Sequence, residues 1–175
     1  MPTKPINRER QWSRTGRSGR RVSLEARERL IELIRAHAGM ANHADGESDA
    51  SIGAAERALG VAFPPSYRRL VEEFGTWDIA GEEFLGVYRT LAHGTELLGS
   101  VKETLDLRRD HGLLAELIVV MFDGMGGVIV LDSSKVDRFG EYPVFAWFHV
   151  DEPLEKLGED FGSFALELCE KAVRQ

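Results

Sequence analysis

The sequence contains a single cysteine in 175 residues. Cys169 therefore has no partner for an intramolecular disulfide, and nothing in the chain requires an oxidising compartment. No apolar run approaches the ~20 residues that a membrane helix needs, and the N-terminus lacks the apolar stretch of a secretory signal. These absences predict a cytoplasmic protein with no membrane partner.

Charge is distributed unevenly along the chain. Residues 1–21 have a net charge of +6, which leaves −13 for residues 22–175 out of the total of −7. We predict a disordered basic tail over 1–21, because periodic apolar residues are scarce there, and a single domain over 22–175. The acidic domain would repel nucleic acid and attract a basic partner. The arginines of the tail leave open an alternative, loose and salt-dependent binding of nucleic acid.

Apolar residues at helical spacing predict five helices. We expect a first helix capped by Ser23 and ending near Gly39, and a second capped by Ser51 and ending at Gly60. A third helix is expected over about 66–74, a fourth over about 95–109, and a last one within the C-terminal stretch DFGSFALELCEKAV.

Strand patterns fill the region between these helices. WDIAG, EFLGVY and YPVFAWFHV are typical of strands, and the runs 117–122 and 128–131 flank a glycine-rich turn that predicts a hairpin. The continuous apolar character of the hairpin predicts that both of its faces are covered. Helices at both ends with strands between them indicate an α+β fold.

Two consecutive prolines interrupt the stretch ERALGVAFPPSYRRLVEEFG. Pro64 disfavours helix at the preceding residue, and Pro65 suits the first turn of a new helix because its missing N–H has no partner there. We therefore predict a fixed elbow between the second and third helices, with Gly75 ending the third.

This stretch resembles the signature of the SUKH superfamily, the Smi/Knr-type domain. The residues that match the signature are Glu56, Leu59, Gly60, Phe63, Pro64, Tyr67, Leu70 and Gly75. The segments WDIAGEEFLGVY, FDGMGGVIVLDSS, YPVFAWFHVDE and FGSFALEL follow in the family's order, so the resemblance covers about residues 51–172. Phe74 and Val128 depart from the pattern, since many relatives carry Asn and a Gly-Asp pair at these places.

The resemblance implies a mixed, largely antiparallel sheet packed by helices. It also implies a function, because bacterial members are mostly immunity proteins that neutralise a cognate polymorphic toxin, often a nuclease or nucleic-acid deaminase. We therefore expect an immunity protein that binds a basic toxin through its acidic surface. The alternative implied by eukaryotic relatives is a regulatory or scaffolding domain without a toxin partner.

Acidic side chains near the family motifs are candidates for contacting such a partner, and a tryptophan among them is a candidate anchor. The predicted contact residues are Glu72, Glu73, Trp77, Asp78, Glu82, Glu83, Asp151 and Glu152. The alternative for each acid is a solvated surface, and the alternative for Trp77 is a place in the core.

An enzyme is the competing interpretation, and the sequence offers little for it. The turn DGMGG joins two strands and lacks the Lys-Ser or Lys-Thr pair of a phosphate-binding loop. His149 lies near Asp151 and Glu152, but no other histidine stands at ligand spacing to it. Cys169 falls on an apolar helix face, where an inert thiol is expected. We therefore predict no catalytic, metal-binding or cofactor-binding residues.

Overall fold

The computed structural model describes residues 19–175, with side chains from Ser23 onward. The helices in this span are α1 (Gly19–Ala36), α2 (Asp49–Leu59), α3 (Pro65–Phe74), α4 (Ser100–His111) and α5 (Phe161–Ala172). The strands are β1 (Ala41–His43), β2 (Trp77–Ile79), β3 (Glu82–Phe84), β4 (Val87–Tyr88), β5 (Leu98–Gly99), β6 (Leu117–Phe122), β7 (Val128–Asp132), β8 (Val144–Trp147) and β9 (Glu155–Gly158). The predicted α+β class is confirmed.

The strands form three sheets, ordered β1-β2-β3, β4-β5 and β6-β7-β8-β9. Every strand pair within residues 19–175 is antiparallel, in agreement with the largely antiparallel sheet that the family resemblance implied. The reason lies in the connections, since parallel neighbours need a crossover such as a helix. Helix α4 is a connection of this kind, but the strands on either side of it, β5 and β6, belong to different sheets.

The predicted hairpin is formed by β6 and β7, and both of its faces are covered. One face, which includes Ile118 and Leu131, packs into the main core with α1, α3 and α5. The other face, which includes Val119 and Val130, packs with Trp147 in a second apolar cluster. The four-stranded sheet therefore lies between two apolar layers, as the continuous apolar runs predicted.

The proline elbow is confirmed. Pro64 has the extended backbone that precedes a helix, and Pro65 is the first residue of α3. Gly60 ends α2 at a φ of 72°, a left-handed conformation that glycine adopts without strain. Glu56 fixes the elbow, because its Oε1 accepts a hydrogen bond from the backbone N–H of Phe63 at 2.8 Å.

Several helix starts differ from their predicted positions. Ser23 is buried inside α1, which begins at Gly19, and α2 is capped by Ser48 rather than Ser51. Both predictions were wrong, and for α2 the reason is that Ser48, one turn before Ser51, is an equally suitable capping residue. The fourth helix begins at 100 instead of 95, since Gly99 has a φ of 72° that no helix accepts.

The predicted disordered tail lies almost wholly outside the described residues. Residues 1–18 are not described, and residues 19–21 begin α1. Within the part of the chain that is described, each helix is too short or too polar to cross a bilayer.

Candidate protein-binding surface

Asp78 and Glu83 lie directly opposite each other on β2 and β3. Side chains alternate between the two faces of a strand, so these residues face away from Trp77 and Phe84, which are buried. Asn42 on β1 is the cross-strand neighbour of Asp78 and donates hydrogen bonds to both carboxylate oxygens at 3.2 Å. Two like charges that face each other in this way destabilise a sheet.

Glu82 and Glu83 also line a groove of about 570 Å³ between β3, the turn of the β6–β7 hairpin, β9 and α5. The groove brings these two predicted residues together with Asp123 and Glu155, which the sequence did not single out. The only available signal was the run FDGM, where apolar side chains flank a turn. Strand β3 therefore presents acids to the groove and to the outer face of its own sheet.

Glu72 and Glu73 lie on α3 and are engaged in ion pairs. Glu73 pairs with Arg35 and, at 2.9 Å, with Arg69, while Glu72 accepts a hydrogen bond from Arg68 at 3.2 Å. Burial alone would raise the pKa of Glu73, but the hydrogen bonds and charges of the two arginines lower it below its usual range. These carboxylates stabilise contacts within the fold before any partner binds.

Trp77 is a core residue, the alternative stated for it from the sequence. It is 3% exposed, stacks on Phe84 at a ring separation of 5.3 Å and meets Phe161 edge to face at 6.2 Å. A partner cannot contact this ring directly. It supports the acidic sheet from beneath.

Asp151 and Glu152 are exposed in the connection between β8 and β9. His149 Nδ1 lies 3.6 Å from Asp151 Oδ2, so the imidazole and this carboxylate form a surface pair. Neither acid lines the groove next to β3. The structure therefore separates the predicted contact residues into a helix group, a strand group and this turn.

The residues considered for enzyme chemistry have roles in the fold. In the DGMGG turn, Asp123 Oδ1 accepts hydrogen bonds from the N–H groups of Met125 and Gly127 at 2.7 and 2.8 Å, so two of the turn's amides are engaged and a carboxylate lies where a phosphate would have to bind. Cys169 is buried, and burial followed by the charge of Glu82 raises the pKa of its thiol. Across residues 19–175, His, Cys, Asp and Glu side chains form no group suited to a metal ion.

Comparison with known proteins identifies one family. The family model SUKH_5, described as SMI1-KNR4 cell-wall, matches residues 27–170, which is well over half of the chain. Among curated proteins, no sequence matches the chain at a significant level.

Proposed function

Because the chain belongs to the SMI1-KNR4 (SUKH) family, we propose that it is an immunity protein that binds and neutralises a cognate toxin through its acidic surface. The observation that carries this proposal is the placement of Asp78 opposite Glu83 on the outer face of the β1-β2-β3 sheet. The only side-chain hydrogen bonds that Asp78 accepts in the described part of the chain come from the uncharged amide of Asn42. A cationic partner would relieve the repulsion between the two acids.

The charge of the domain supports a basic toxin that acts on nucleic acid. Residues 22–175 have a net charge of −13, and a protein evolved to bind phosphates presents positive charge around its cleft. Attraction between the two surfaces would mainly raise the association rate, while well-packed contacts at the centre would set the dissociation rate. In this proposal the protein acts in the cytoplasm by occluding the toxin and carries out no reaction itself.

We assign different roles in partner binding to the predicted contact residues. Asp78 and Glu83 form the centre of the proposed surface, since they lie opposite each other on β2 and β3, and Glu82 contributes charge beside them at the groove. Asp151 and Glu152 contribute exposed charge from the β8–β9 connection, and Glu72 and Glu73 contribute charge that arginines partly neutralise. Trp77 keeps β2 and β3 in place.

A regulatory or scaffolding domain without a toxin partner is the alternative function. The family description, SMI1-KNR4 cell-wall, names no toxin and is therefore equally compatible with this class. Both functions require a protein partner, and they differ in whether binding protects a cell from a toxin.

Co-expression with a toxin tests the proposal. A toxin gene directly next to the gene for this protein supplies the candidate, and we expect co-expression to restore growth. The double variant Asp78→Asn, Glu83→Gln should restore growth poorly, whereas the matched double variant Glu25→Gln, Glu32→Gln on exposed positions of α1 should restore it fully. Equal rescue by the two double variants would contradict the assigned surface, and no rescue by the wild type would favour the alternative function.

A further inference from the structure

The groove beside β3 has an apolar floor. Its lining comes from five stretches of the sequence, and the side chains on its floor are Met121, Ile129, Ala146, Leu157, Phe164 and Leu168. A volume of about 570 Å³ lies within the range of sites that bind organic groups, roughly 300–1,000 Å³. The groove can therefore receive large apolar side chains.

Exposed apolar side chains form the outer part of the groove. Phe122, Met125 and Phe148 line it and are 50%, 72% and 39% exposed. A small ligand inside the groove would leave these rings and the thioether in water, whereas a polypeptide lying across it would cover them. Exposed apolar surface rimmed by polar groups is typical of protein contacts, and methionine adapts its shape to different partners.

The polar groups of the groove all have the same sign of charge. Four carboxylates line it, those of Glu82, Glu83, Asp123 and Glu155, and none of the described residues that line it is Lys, Arg or His. The other carboxylate oxygen of Asp123, Oδ1, already accepts hydrogen bonds from the N–H groups of Met125 and Gly127, so Asp123 contributes negative charge to the groove from a fixed position.

We propose that this groove binds a segment of a partner protein in which Lys or Arg lies beside one or two large apolar side chains. The apolar side chains of the segment would pack on the floor formed by Ile129 and Leu168. Its Lys or Arg side chains would form ion pairs with the carboxylates at the rim. The choice of a protein as the occupant rests on the proposed function. The same carboxylates would repel a phosphate backbone or an anionic membrane surface.

Short peptides of defined composition test the groove directly. The probe is the capped hexapeptide KRFLRK, and its controls are KRSSRK, which keeps the charge, and EEFLEE, which keeps the apolar pair. We expect saturable binding of KRFLRK to the full-length protein, with backbone amide NMR shifts concentrated in residues 121–127 and 155–157. Both controls should bind at least about tenfold more weakly, since the site requires charge and apolar surface together.

Matched variants separate a specific site from general attraction to an acidic protein. Glu155→Lys in the groove should weaken KRFLRK binding about fivefold or more, whereas Glu32→Lys, which changes an exposed acid on α1, should change it less than about twofold. Phe122→Ala should weaken binding, while Leu91→Ala, at a fully exposed position outside the groove, should not. Equal effects of the two charge reversals, or shifts centred elsewhere, would overturn the proposal.

The alternative occupant to be tested is the basic N-terminal segment of this chain, residues 1–18. A variant lacking residues 2–18 should bind KRFLRK with the affinity of the full chain if the groove serves a partner. If its affinity rises about tenfold or more, the segment competes for the groove from within the chain, and the proposal is overturned.

The two proposals fail in different ways. Peptide binding without rescue from the toxin would contradict the immunity function and leave the groove established. Rescue without peptide binding would overturn the groove alone.

Discussion

The carboxylate of Glu141 accepts two hydrogen bonds from Ser66, one from its backbone N–H at 3.0 Å and one from its hydroxyl at 2.7 Å. Ser66 lies in the first turn of α3, where the preceding Pro64 offers no side-chain cap. The hydroxyl of Ser66 in turn accepts a hydrogen bond from the N–H of Gly162 in α5 at 3.2 Å. A buried acid from a distant loop therefore satisfies the start of one helix and links it to another.

This link predicts a pH dependence of stability. Burial raises the pKa of Glu141, the charge of Asp160 adds to this, and the hydrogen bonds of Ser66 oppose it. The folded chain therefore binds this proton more tightly than the unfolded chain, whose carboxyl has a pKa of about 4.3. The stability from this group is fully present below that value and declines as the pH rises through the folded pKa.

The variant Glu141→Gln keeps an acceptor for the N–H of Ser66 and removes the titration. We expect the free energy of unfolding of the wild type, relative to this variant, to fall between pH 4 and pH 7 in urea titrations. Glu141→Ala should lose about 1–3 kcal/mol at either pH, because the N–H of Ser66 is left without a partner. A wild type that gains stability relative to Glu141→Gln as the pH rises would contradict the assignment.

Replacing Glu83 by lysine should stabilise the fold while weakening partner binding. The change puts opposite charges on β2 and β3 where two acids now face each other, and such a cross-strand pair contributes about 0.2–1 kcal/mol. The gain should shrink at high salt, since the pair is exposed. Thermal or urea unfolding measures this gain in stability, with Glu32→Lys as the control for the change in net charge. Equal stability of the two variants would show that Asp78 and Glu83 do not repel each other.

Substitution of Trp77 should affect stability and leave partner contacts unchanged. Trp77→Ala should cost about 3–5 kcal/mol, because a large buried ring is removed. Trp77→Phe should lower the free energy of unfolding by less, because this substitution keeps an aromatic ring and removes an indole N–H that has no partner among residues 19–175. The affinity of Trp77→Phe for a partner, measured by calorimetry on folded protein, should stay within about twofold of the affinity of the wild type. A large loss of affinity in a stably folded Trp77→Phe would instead make this residue part of the interface.

The thiol of Cys169 should react only after unfolding. The side chain is buried, and both its burial and the nearby charge of Glu82 raise its pKa, so little thiolate forms. We expect Ellman's reagent to modify the native protein at least about a thousandfold more slowly than the urea-unfolded protein. An exposed cysteine introduced by Leu91→Cys in a Cys169→Ala background provides the control for reagent access. Rapid reaction of native Cys169 would mean that α5 opens readily.

Local stereochemistry made parts of the fold predictable. Pro64 and Pro65 restrict the backbone whatever surrounds them, and Gly60 ends a helix in a conformation that other residues avoid. The hairpin was equally clear, because two apolar runs flank a glycine-rich turn. Helix starts were less certain, since Ser48, Ser51 and Asp49 can each accept the hydrogen bonds of a first turn.

The groove could not be predicted because distant segments form it. Glu83, Phe122, Glu155 and Leu168 become neighbours only when two sheets and the last helix pack together. The register of β6 also shifts between Val119 and Met121, so Met121 faces the core while Phe122 is left in solvent. An alternating pattern does not reveal such a bulge. Sequence reasoning named Glu82 and Glu83 as candidate contact residues, but it gave no sign of the apolar floor beside them.

The turn after β6 holds its shape without help from the side chain at its tip. Asp123 and the glycines set the backbone, and Met125 contributes only its N–H to that arrangement while its side chain projects into water. Substitutions at an exposed site of this kind usually change stability by no more than about 0.5 kcal/mol. Residue 125 can therefore change during evolution without loss of the fold. Such substitutions could alter which partner binds at this turn.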